Sequence, residues 1–287
     1  MKRVLLTGGS GFIGRNVIDF LKQECLLYIP TRTELNLMDE QEVRNYIRKN
    51  KIQVIIHAAN PNPVKNKLDH METMFEDSMR IFMNLYNAQD LYEFMYSLGS
   101  GAEYDKSKDI HLVREEDKRT IPYDSYGLAK YIMNQMIEKS EKHCNLRIFA
   151  CYGPTDHDSK FITHIIHCCL KQEIITIRQD CYFDYMHVSD LGKILCYFIN
   201  NTPLYRVYNV CTGTRMKLSE IAAIVKEEMK SDSEIIFLQE GMNKEYTGDN
   251  HRLLEELPDY QFMNIREGIK IQIESEMMKY DKNIILQ

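Results

Sequence analysis

The stretch Lys2-Arg3-Val4-Leu5-Leu6-Thr7-Gly8-Gly9-Ser10-Gly11-Phe12-Ile13-Gly14 decides how the rest of this 287-residue chain is interpreted. Its apolar run, residues 4–6, has the length of a buried parallel strand. Gly8 and Gly11 have no side chains, so backbone N–H groups can approach a pyrophosphate, and Gly14 lets a helix pack close to the strand. The helix N-terminus adds the positive end of a dipole. The pattern predicts a dinucleotide-binding turn between a strand and a helix, and an ordinary structural glycine turn is the alternative.

The composition excludes several classes of partner. The chain is 44% hydrophobic and 27% charged, which is typical of a globular protein. Its net charge of −6 gives no basis for binding nucleic acid or an anionic membrane. No apolar segment approaches the roughly 20 residues that cross a bilayer, and no secretory signal is visible. The eight cysteines form no CxxC pair, which predicts reduced thiols and a cytoplasmic protein. From the net charge we expect no nucleic-acid or membrane partner.

Strand and helix patterns alternate along the first half of the chain. They predict strands at residues 4–6, 26–29, 54–59, 94–98 and 146–152, and helices at 12–23, 40–49, 69–91 and 126–142. This alternation indicates an α/β fold with a doubly wound parallel sheet. The polar segment 99–124 has no clear pattern and is long enough to be an active-site loop.

The pattern loosens after Pro154. It predicts helices at 161–171, 188–200, 218–230 and 265–278, and short strands at 174–177, 208–210 and 235–237. We therefore divide the chain into a dinucleotide-binding domain, residues 1–153, and a smaller α/β substrate-binding region, residues 154–287, partly interleaved with the first.

Tyr126 and Lys130 are four residues apart in a predicted helix and therefore lie on one face of it. An ammonium beside a phenol stabilises the phenolate, so Lys130 is expected to lower the pKa of Tyr126 and make it an acid or base near neutral pH. The alternative is a surface helix with a solvated lysine. The position of the pair, a little over a hundred residues after a glycine-rich turn, favours the catalytic interpretation.

Several motifs together resemble the NAD-dependent epimerase/dehydratase group, extended short-chain dehydrogenases/reductases that act on nucleotide sugars. In the family's order they are Thr7-Gly8-Gly9-Ser10-Gly11-Phe12-Ile13-Gly14, His57-Ala58-Ala59, Ser100-x-x-x-Tyr104, Tyr126-x-x-x-Lys130, Tyr152-Gly153-Pro154, Phe183-Asp184-Tyr185-Met186-His187-Val188-Ser189-Asp190-Leu191 and Tyr208-Asn209-Val210-Cys211-Thr212-Gly213. The resemblance implies a Rossmann domain with a C-terminal lid for a nucleoside-diphosphate sugar, and hydride exchange at a sugar carbon.

The resemblance also implies roles for individual residues. Tyr126 would be the acid/base, Lys130 would bind the nicotinamide ribose, and Ser100, followed by Gly101, would orient the substrate oxygen. The dinucleotide would also contact Tyr126 and residues of the glycine turn and of the third strand's end, namely Gly8, Gly11, Phe12, Ile13, Gly14, Ala58 and Ala59. Members of the group often dimerise through two helices, here 69–91 and 126–142, so a homodimer is expected.

The loop after the second strand bears on the choice of dinucleotide. NAD sites usually place an acid there that accepts from the ribose 2′-OH. Arg32 could bind a 2′-phosphate bidentately, whereas Glu34 would take the NAD role if the loop register differed. Residues 31–39 also resemble those of NADP-using fucose synthases, which implies that Asp39 approaches the adenine. We expect NADP, with NAD as the alternative.

The residues after Ser100 narrow the reaction. The family's 4,6-dehydratases have Asp and Glu directly after this position, whereas this chain has Gly101 and Ala102, with Glu103 one place late. Elimination of water therefore has no evident proton shuttle. Fucose synthases use a cysteine near that serine for epimerisation, and residues 99–104 contain none.

Two reactions remain open, a 4-keto reduction with exchangeable NADPH and a 4-epimerisation with tightly bound NAD. Arg32 favours the reductase. A non-catalytic regulator that senses NADP is a third hypothesis, against which the presence of both Tyr126 and Lys130 argues.

The substrate-binding residues are less well defined by the sequence. Ala150 stands where many relatives have an asparagine that contacts substrate, so recognition is expected to differ here. Candidate ligands of the diphosphate are Lys160, Arg178 and Arg252, each alternatively a solvated surface charge. The segment His164-x-x-His167-Cys168 could place metal ligands on one helix face, but a packed helix fits equally well and we predict no metal.

Overall fold

A computed structural model describes residues 1–61, 72–118 and 120–285 of the chain. The strands are β1 Arg3–Thr7, β2 Leu26–Tyr28, β3 Val54–His57, β4 Phe94–Ser100, β5 Ile110–Val113, β6 His143–Ile148, β7 Ala150–Tyr152, β8 Ile175–Ile177, β9 Tyr182–Phe183, β10 Tyr185–His187, β11 Val207–Val210, β12 Met216–Lys217, β13 Ile235–Phe237 and β14 Tyr246–Gly248. The helices are α1 Phe12–Glu24, α2 Glu40–Asn50, α3 Met74–Tyr86, α4 Ser125–Ile137, α5 Phe161–Lys171, α6 Val188–Asn200, α7 Leu218–Met229, α8 His251–Glu256 and α9 Ile265–Ile285, and a 3₁₀ turn covers Gly101–Glu103.

A six-stranded parallel sheet in the order β11-β6-β4-β3-β1-β2 forms the centre of the fold. Successive side chains alternate between its faces. Leu5 and Ile55 pack with residues of α2, α3 and α4 on one face. Leu6 and Ile56 pack with residues of α1 and α6 on the other face. The predicted doubly wound α/β fold is confirmed, and the crevice between β1 and β3 lies where the strand order reverses.

Two segments differ from their predicted assignments because their strand partners are distant in sequence. Residues 207–210, expected in the smaller region, form the edge strand of the central sheet, where Val207 pairs with Asn145 and Val210 with Ile148. Residues 110–113, expected to be irregular, form β5, which pairs with β14 from far along the chain. Neither pairing leaves a local sequence signal.

Several helix and strand boundaries also differ from expectation. The predicted helix 69–91 corresponds to α3 from Met74 to Tyr86, and residues 69–71 lie outside the described residues. Helix α4 ends at Ile137 rather than at residue 142 because the backbone turns there, with the Ser140 N–H donating to the Ile137 carbonyl. The predicted strand 146–152 is split into β6 and β7, and β7 pairs with β10 instead of joining the central sheet.

The C-terminal part of the chain supplies a second α/β layer. Helices α5, α7 and α9 pack around an apolar cluster that includes Ile165, Ile221 and Ile269. A four-stranded sheet in the order β12-β9-β14-β5 combines C-terminal strands with a strand from the N-terminal half. Helix α6 and strand β11 pack on the central sheet, so the two parts of the chain are interleaved. Within the described ranges, no helix is both long enough and apolar enough to span a membrane.

Candidate active site

The glycine turn brings the ends of β1 and β3 and the start of α1 into backbone contact. Gly8 has φ of +74°, a conformation that favours glycine, and a Cβ on it would lie 2.7 Å from the Ala59 nitrogen. A Cβ on Gly14 would lie 2.3 Å from the Gly8 carbonyl oxygen. Gly11 is the N-cap of α1, and no side chain among the described residues makes a capping hydrogen bond at this end of the helix. The first N–H groups of α1 therefore face the crevice at the switch point, a geometry suited to a pyrophosphate.

The end of β3 is tied to β1 by a buried hydrogen-bond pair. Thr7 Oγ1 lies 3.0 Å from His57 Nδ1, and the Ala59 N–H donates to the same hydroxyl at 3.2 Å. Burial lowers the pKa of His57 to about 3, so its imidazole is neutral. This contact fixes Ala58 and Ala59 against the glycine turn, where the resemblance places dinucleotide contacts.

The loop after β2 contains both residues that could select the dinucleotide. The Thr31 N–H and hydroxyl donate to Glu34 Oε2 at 2.8 and 2.9 Å, and these hydrogen bonds lower the pKa of the Glu34 carboxyl. Arg32 is exposed in the middle of this turn. Asp39 caps α2 by accepting from the Glu42 N–H at 2.9 Å, so it has a structural role whether or not it also reaches an adenine.

The structure brings Ser100, Tyr126 and Lys130 together at the carboxyl end of β4. Asp124 caps α4 by accepting from the Gly127 N–H at 2.9 Å. Gly127 allows α4 to approach the 3₁₀ turn, because a Cβ there would lie 2.6 Å from the Ala102 oxygen. Tyr126, at the start of α4, lies near Ser100 as a result.

The predicted effect of Lys130 on Tyr126 is wrong for this structure. Lys130 Nζ lies 6.0 Å from the centre of the Tyr126 ring and donates to the Leu98 carbonyl at 2.8 Å. Burial raises the pKa of Tyr126, and the nearby Ser100 hydroxyl only partly opposes this increase. Burial also lowers the pKa of Lys130 to about 8. Tyr126 is therefore a protonated phenol at neutral pH.

A buried ion pair that no local sequence pattern indicates lies beside these residues. Glu103 and Arg147 are both fully buried and join at 2.9 Å through Arg147 Nε. The other Glu103 oxygen accepts from the Asn145 amide at 2.9 Å and from the Ser100 N–H at 3.3 Å. Arg147 also donates to Asn209 Oδ1 at 2.8 Å. Glu103 therefore fixes the backbone of Ser100, and both of its oxygens are engaged.

A second tyrosine, from the C-terminal region, lies beside the turn that follows Ser100. Tyr246, on β14, is 5% exposed, and its ring packs against Phe149 and Phe183 with ring centres 5.3 and 5.4 Å apart. Gly101 makes room for it, because a Cβ there would lie 2.5 Å from the Tyr246 hydroxyl oxygen. The pairing of β14 with β5 and with β9, both distant in sequence, brings Tyr246 to this place, so no local motif indicates it.

Two of the C-terminal motifs meet through one carboxylate. Asp184 Oδ1 accepts from the Thr212 N–H at 2.9 Å, and Oδ2 accepts from the Gly213 N–H at 2.7 Å. Burial raises the pKa of Asp184 to about 6. This contact connects the end of β11 to the segment between β9 and β10, beside the candidate site.

The three candidate diphosphate ligands lie in different environments. Lys160 is exposed at the N-cap of α5, and Arg178 is exposed just after β8. Arg252 instead lies beside the amino end of β11, where it ion-pairs with Glu116 at 3.3 Å and Glu115 at 3.8 Å. Strand β11 runs parallel to β6, so Val207, whose carbonyl Arg252 contacts, lies at the end of the sheet away from Ser100. This placement argues against the predicted diphosphate contact of Arg252.

The side chains considered for a metal make other contacts. His167 Nε2 lies 2.9 Å from Glu276 on α9, and His164 lies 3.7 Å from the Cys168 sulfur. In the described part of the chain, Glu115, Glu116 and His251 form a cluster with metal-ligand spacing. Arg252 forms ion pairs with both carboxylates of this cluster, those of Glu115 and Glu116.

Known proteins resemble this chain in sequence. A sequence model of the family described as "NAD dependent epimerase/dehydratase family" matches residues 4–211. An ADP-L-glycero-D-manno-heptose-6-epimerase from Brachyspira hyodysenteriae is 23% identical over 93% of this chain and 95% of its own length.

Solved structures show the same fold. The UDP-glucose 4-epimerase of Thermotoga maritima with UDP-glucose has a TM-score of 0.83 at 18% identity, over 97% of this chain and 99% of its own. The GDP-mannoheptose C4 reductase of Campylobacter jejuni with NADP bound has a TM-score of 0.80 at 16% identity, over 96% of this chain and 98% of its own. Because the family model matches most of its length, the chain belongs to the NAD dependent epimerase/dehydratase family of enzymes.

Proposed function

We propose that this enzyme uses NADP to reduce a 4-keto-6-deoxy nucleotide sugar, with Tyr126 as the proton donor. The relatives include both epimerases and a C4 reductase, so family membership alone does not choose between the two reactions. The choice depends on this chain's own residues. The first alternative is a 4-epimerase with tightly bound NAD. The second alternative is a regulator that binds NADP without turnover.

The turn at residues 31–34 is the observation that carries the proposal. The Glu34 carboxylate, which would accept from an NAD ribose, already closes the turn by accepting from Thr31. The exposed Arg32 has no hydrogen bond or ion pair with any residue that the structure describes, and its guanidinium suits a 2′-phosphate. NADP is the dinucleotide that carries this phosphate, and exchangeable NADPH is the hydride source that a reductase needs.

The protonation state of Tyr126 fits its role as the proton donor. Reduction of a ketone places negative charge on the sugar oxygen, which then takes a proton from a positioned acid. The raised pKa of Tyr126 keeps its hydroxyl protonated at neutral pH, as this step requires. A 4-epimerase uses the same phenol as a base and then as an acid, so the choice between the two reactions rests on the turn at residues 31–34.

Each residue of the site has one role in the proposed reaction. Bound NADPH supplies the hydride, and the open glycine turn around Gly8, which a Cβ would fill, fits its pyrophosphate. Ser100 orients the carbonyl oxygen, and Tyr126 protonates the oxygen as the hydride arrives at C4. Lys130, placed by the Leu98 carbonyl, would bind the nicotinamide ribose.

The 4,6-dehydratase reaction is disfavoured by Glu103. This carboxyl group is fully buried and engaged by Arg147, Asn145 and the Ser100 N–H. It therefore has no free oxygen with which to remove a proton from the sugar, and Gly101 and Ala102 offer no replacement.

We also propose a cytoplasmic homodimer. Helices α3 and α4 pack side by side and carry apolar side chains that are only partly buried, namely Met79 on α3 and Leu128, Ile132 and Met136 on α4. A second copy of the chain would cover this surface, and light scattering after size-exclusion chromatography tests it. Lys160 and Arg178 remain candidate ligands of the diphosphate.

Replacement of Arg32 by Ala is expected to weaken NADPH binding about 10- to 100-fold, because charge-assisted hydrogen bonds to the 2′-phosphate are lost. NADH binding should change less than about twofold, since NADH has no such phosphate. Fluorescence titration with both dinucleotides measures the difference. Arg48→Ala, at the far end of α2, is the matched control. Equal losses for NADPH and NADH would contradict the role of Arg32.

The function itself is tested by cofactor content and turnover. Purified protein is denatured, any released dinucleotide is identified, and fresh protein is mixed with NADPH and a panel of nucleoside-diphosphate 4-keto-6-deoxyhexoses. The proposal predicts little retained dinucleotide and loss of NADPH absorbance with at least one sugar. Retained NAD together with inversion of a sugar and no net NADPH consumption would establish the epimerase. NADPH binding without turnover of any sugar would favour the regulator.

A further inference from the structure

The side chain of Asn16 joins helix α1 to the segment that follows β7. Asn16 lies four residues after Phe12, the first residue of α1. Its Nδ2 donates to the Phe12 carbonyl at 2.9 Å and to the Pro154 carbonyl at 2.8 Å. Carbonyl oxygens only accept, so these two contacts use both hydrogens of the amide and fix its orientation. The Thr155 hydroxyl oxygen, 3.2 Å from the same nitrogen, is a third contact.

The segment that Asn16 holds, residues 153–155, has an unusual backbone. Gly153 has φ of +151° and Thr155 has φ of +65°. A β-branched residue such as Thr rarely adopts a positive φ, and such a conformation persists only where the contacts around it hold it in place. Within this turn, the Asp156 N–H donates to the Gly153 carbonyl at 3.3 Å. The Asn16 amide is therefore one of the contacts that keep Thr155 in this conformation.

The 153–155 turn lies next to the site expected for the dinucleotide. Ser100 pairs with Ile148 in the central sheet, so the chain beyond residue 148 continues past the edge at which Ser100 stands. Asn16 is about 6 Å along α1 from the first residue of the helix, at about 1.5 Å per residue. The Pro154 carbonyl that it contacts therefore lies beside the end of α1 whose N–H groups suit a pyrophosphate.

We propose that the 153–155 turn forms one wall of the pyrophosphate site and that Asn16 is the positioning residue that holds this wall against α1. A wall held in place slows the release of a bound dinucleotide, because the pyrophosphate leaves past it. NADP and NAD share the pyrophosphate, so Asn16 acts equally on both, unlike Arg32. The inference requires a dinucleotide at the glycine turn, but neither the choice of NADP nor the reductase reaction.

The test measures binding and release of NADPH and NADH by fluorescence titration and stopped-flow displacement. Asn16→Ala is expected to release both dinucleotides about tenfold faster and to raise both Kd values about tenfold, since the turn loses the hydrogen bonds that place it. Asn50→Ala is the matched control, because Asn50 Nδ2 donates to the Tyr46 carbonyl four residues earlier on α2 at 2.9 Å. Unchanged release in Asn16→Ala, or a loss confined to NADPH, would overturn the proposal.

A second substitution separates the turn from the helix. Glycine adopts a φ of +65° without steric cost, so Thr155→Gly should keep the turn in place with less help from Asn16. In a Thr155→Gly background, Asn16→Ala is therefore expected to change the release rate less than about threefold. An equal change in both backgrounds would show that Asn16 acts through α1 itself, and the role of the turn would be wrong.

Amide hydrogen exchange gives a readout that needs no accepted sugar. In the wild-type protein, peptides that cover residues 150–160 should exchange more slowly when NADH is bound. Asn16→Ala should lose part of this protection, while peptides from α7 stay unchanged. If this pattern is seen but no sugar is reduced, the proposed function fails and the role of Asn16 stands. Exchange in residues 150–160 that bound NADH does not slow in the wild type would contradict the wall, whatever reaction the enzyme catalyses.

Discussion

Replacement of Tyr126 by Phe is expected to lower kcat for reduction of a nucleotide 4-keto sugar about 100- to 10,000-fold, because the sugar oxygen loses its positioned acid. NADPH binding should remain within about twofold of wild type, since the aromatic ring and the Lys130–Leu98 contact are kept. Steady-state NADPH oxidation and a binding titration give the two numbers.

Tyr123→Phe is the matched control for this substitution. Tyr123 lies three residues away and is 91% exposed, so loss of its hydroxyl should leave turnover unchanged. Full activity of Tyr126→Phe would show that another group supplies the proton. Loss of NADPH binding in the variant would show instead that Tyr126 acts in cofactor binding.

The second large effect is expected on stability. Replacement of Arg147 by Met leaves the Glu103 charge buried without its partner, which should reduce the free energy of unfolding by about 3–5 kcal/mol. The double variant Glu103→Leu with Arg147→Met removes both charges and should recover a large part of this loss. Urea unfolding followed by circular dichroism measures both variants.

The exposed ion pair of Arg44 and Asp90, joined at 2.7 Å, serves as the comparison. Arg44→Met should be much less destabilising because water solvates the remaining carboxylate. If Arg147→Met and Arg44→Met lost equal stability, the buried pair would have no special structural role. A folded Arg147→Met protein that had lost only turnover would make the pair a feature of the site alone.

Local sequence features were sufficient for the parts of the site that depend on neighbours in the chain. The glycine turn is encoded at Gly8 and Gly14, where the close backbone contacts exclude a side chain. Tyr126 and Lys130 share a helix face because they are four residues apart. The strand before Ser100 is an apolar run that predicts its own burial. For these residues the pattern and the physical requirement are the same.

The remaining parts depend on contacts between distant segments. Tyr246 lies beside Gly101 because β14 pairs with β5 and with β9, and nothing around residue 246 indicates these partners. The sequence indicates Glu103 only as a carboxylate one position later than in a dehydratase. Its ion pair with Arg147 depends on the pairing of β4 with β6. The sequence predicts Arg252 as a candidate diphosphate ligand because it does not reveal the ion-pair partners of this residue. These partners, Glu115 and Glu116, lie far from Arg252 in sequence.

The expected lowering of the Tyr126 pKa was wrong for a related reason. Helical spacing places Lys130 on the same face as Tyr126, but the ammonium donates to the Leu98 carbonyl on β4. Burial of the phenol, which depends on the whole fold, then raises its pKa. Spacing predicted which residues meet, and the fold decides their protonation.

Hydride transfer from NADPH to the sugar is tested most directly with NADPH that carries deuterium on C4 of the nicotinamide ring, at the position that is transferred. The enzyme is incubated with this dinucleotide and the accepted 4-keto sugar nucleotide, and the product is analysed by mass spectrometry and NMR. A reductase places one deuterium on C4 of the sugar for each NADP⁺ formed. A sugar product that forms without deuterium and without consumption of NADPH would contradict the reductase and identify an enzyme that regenerates its own cofactor.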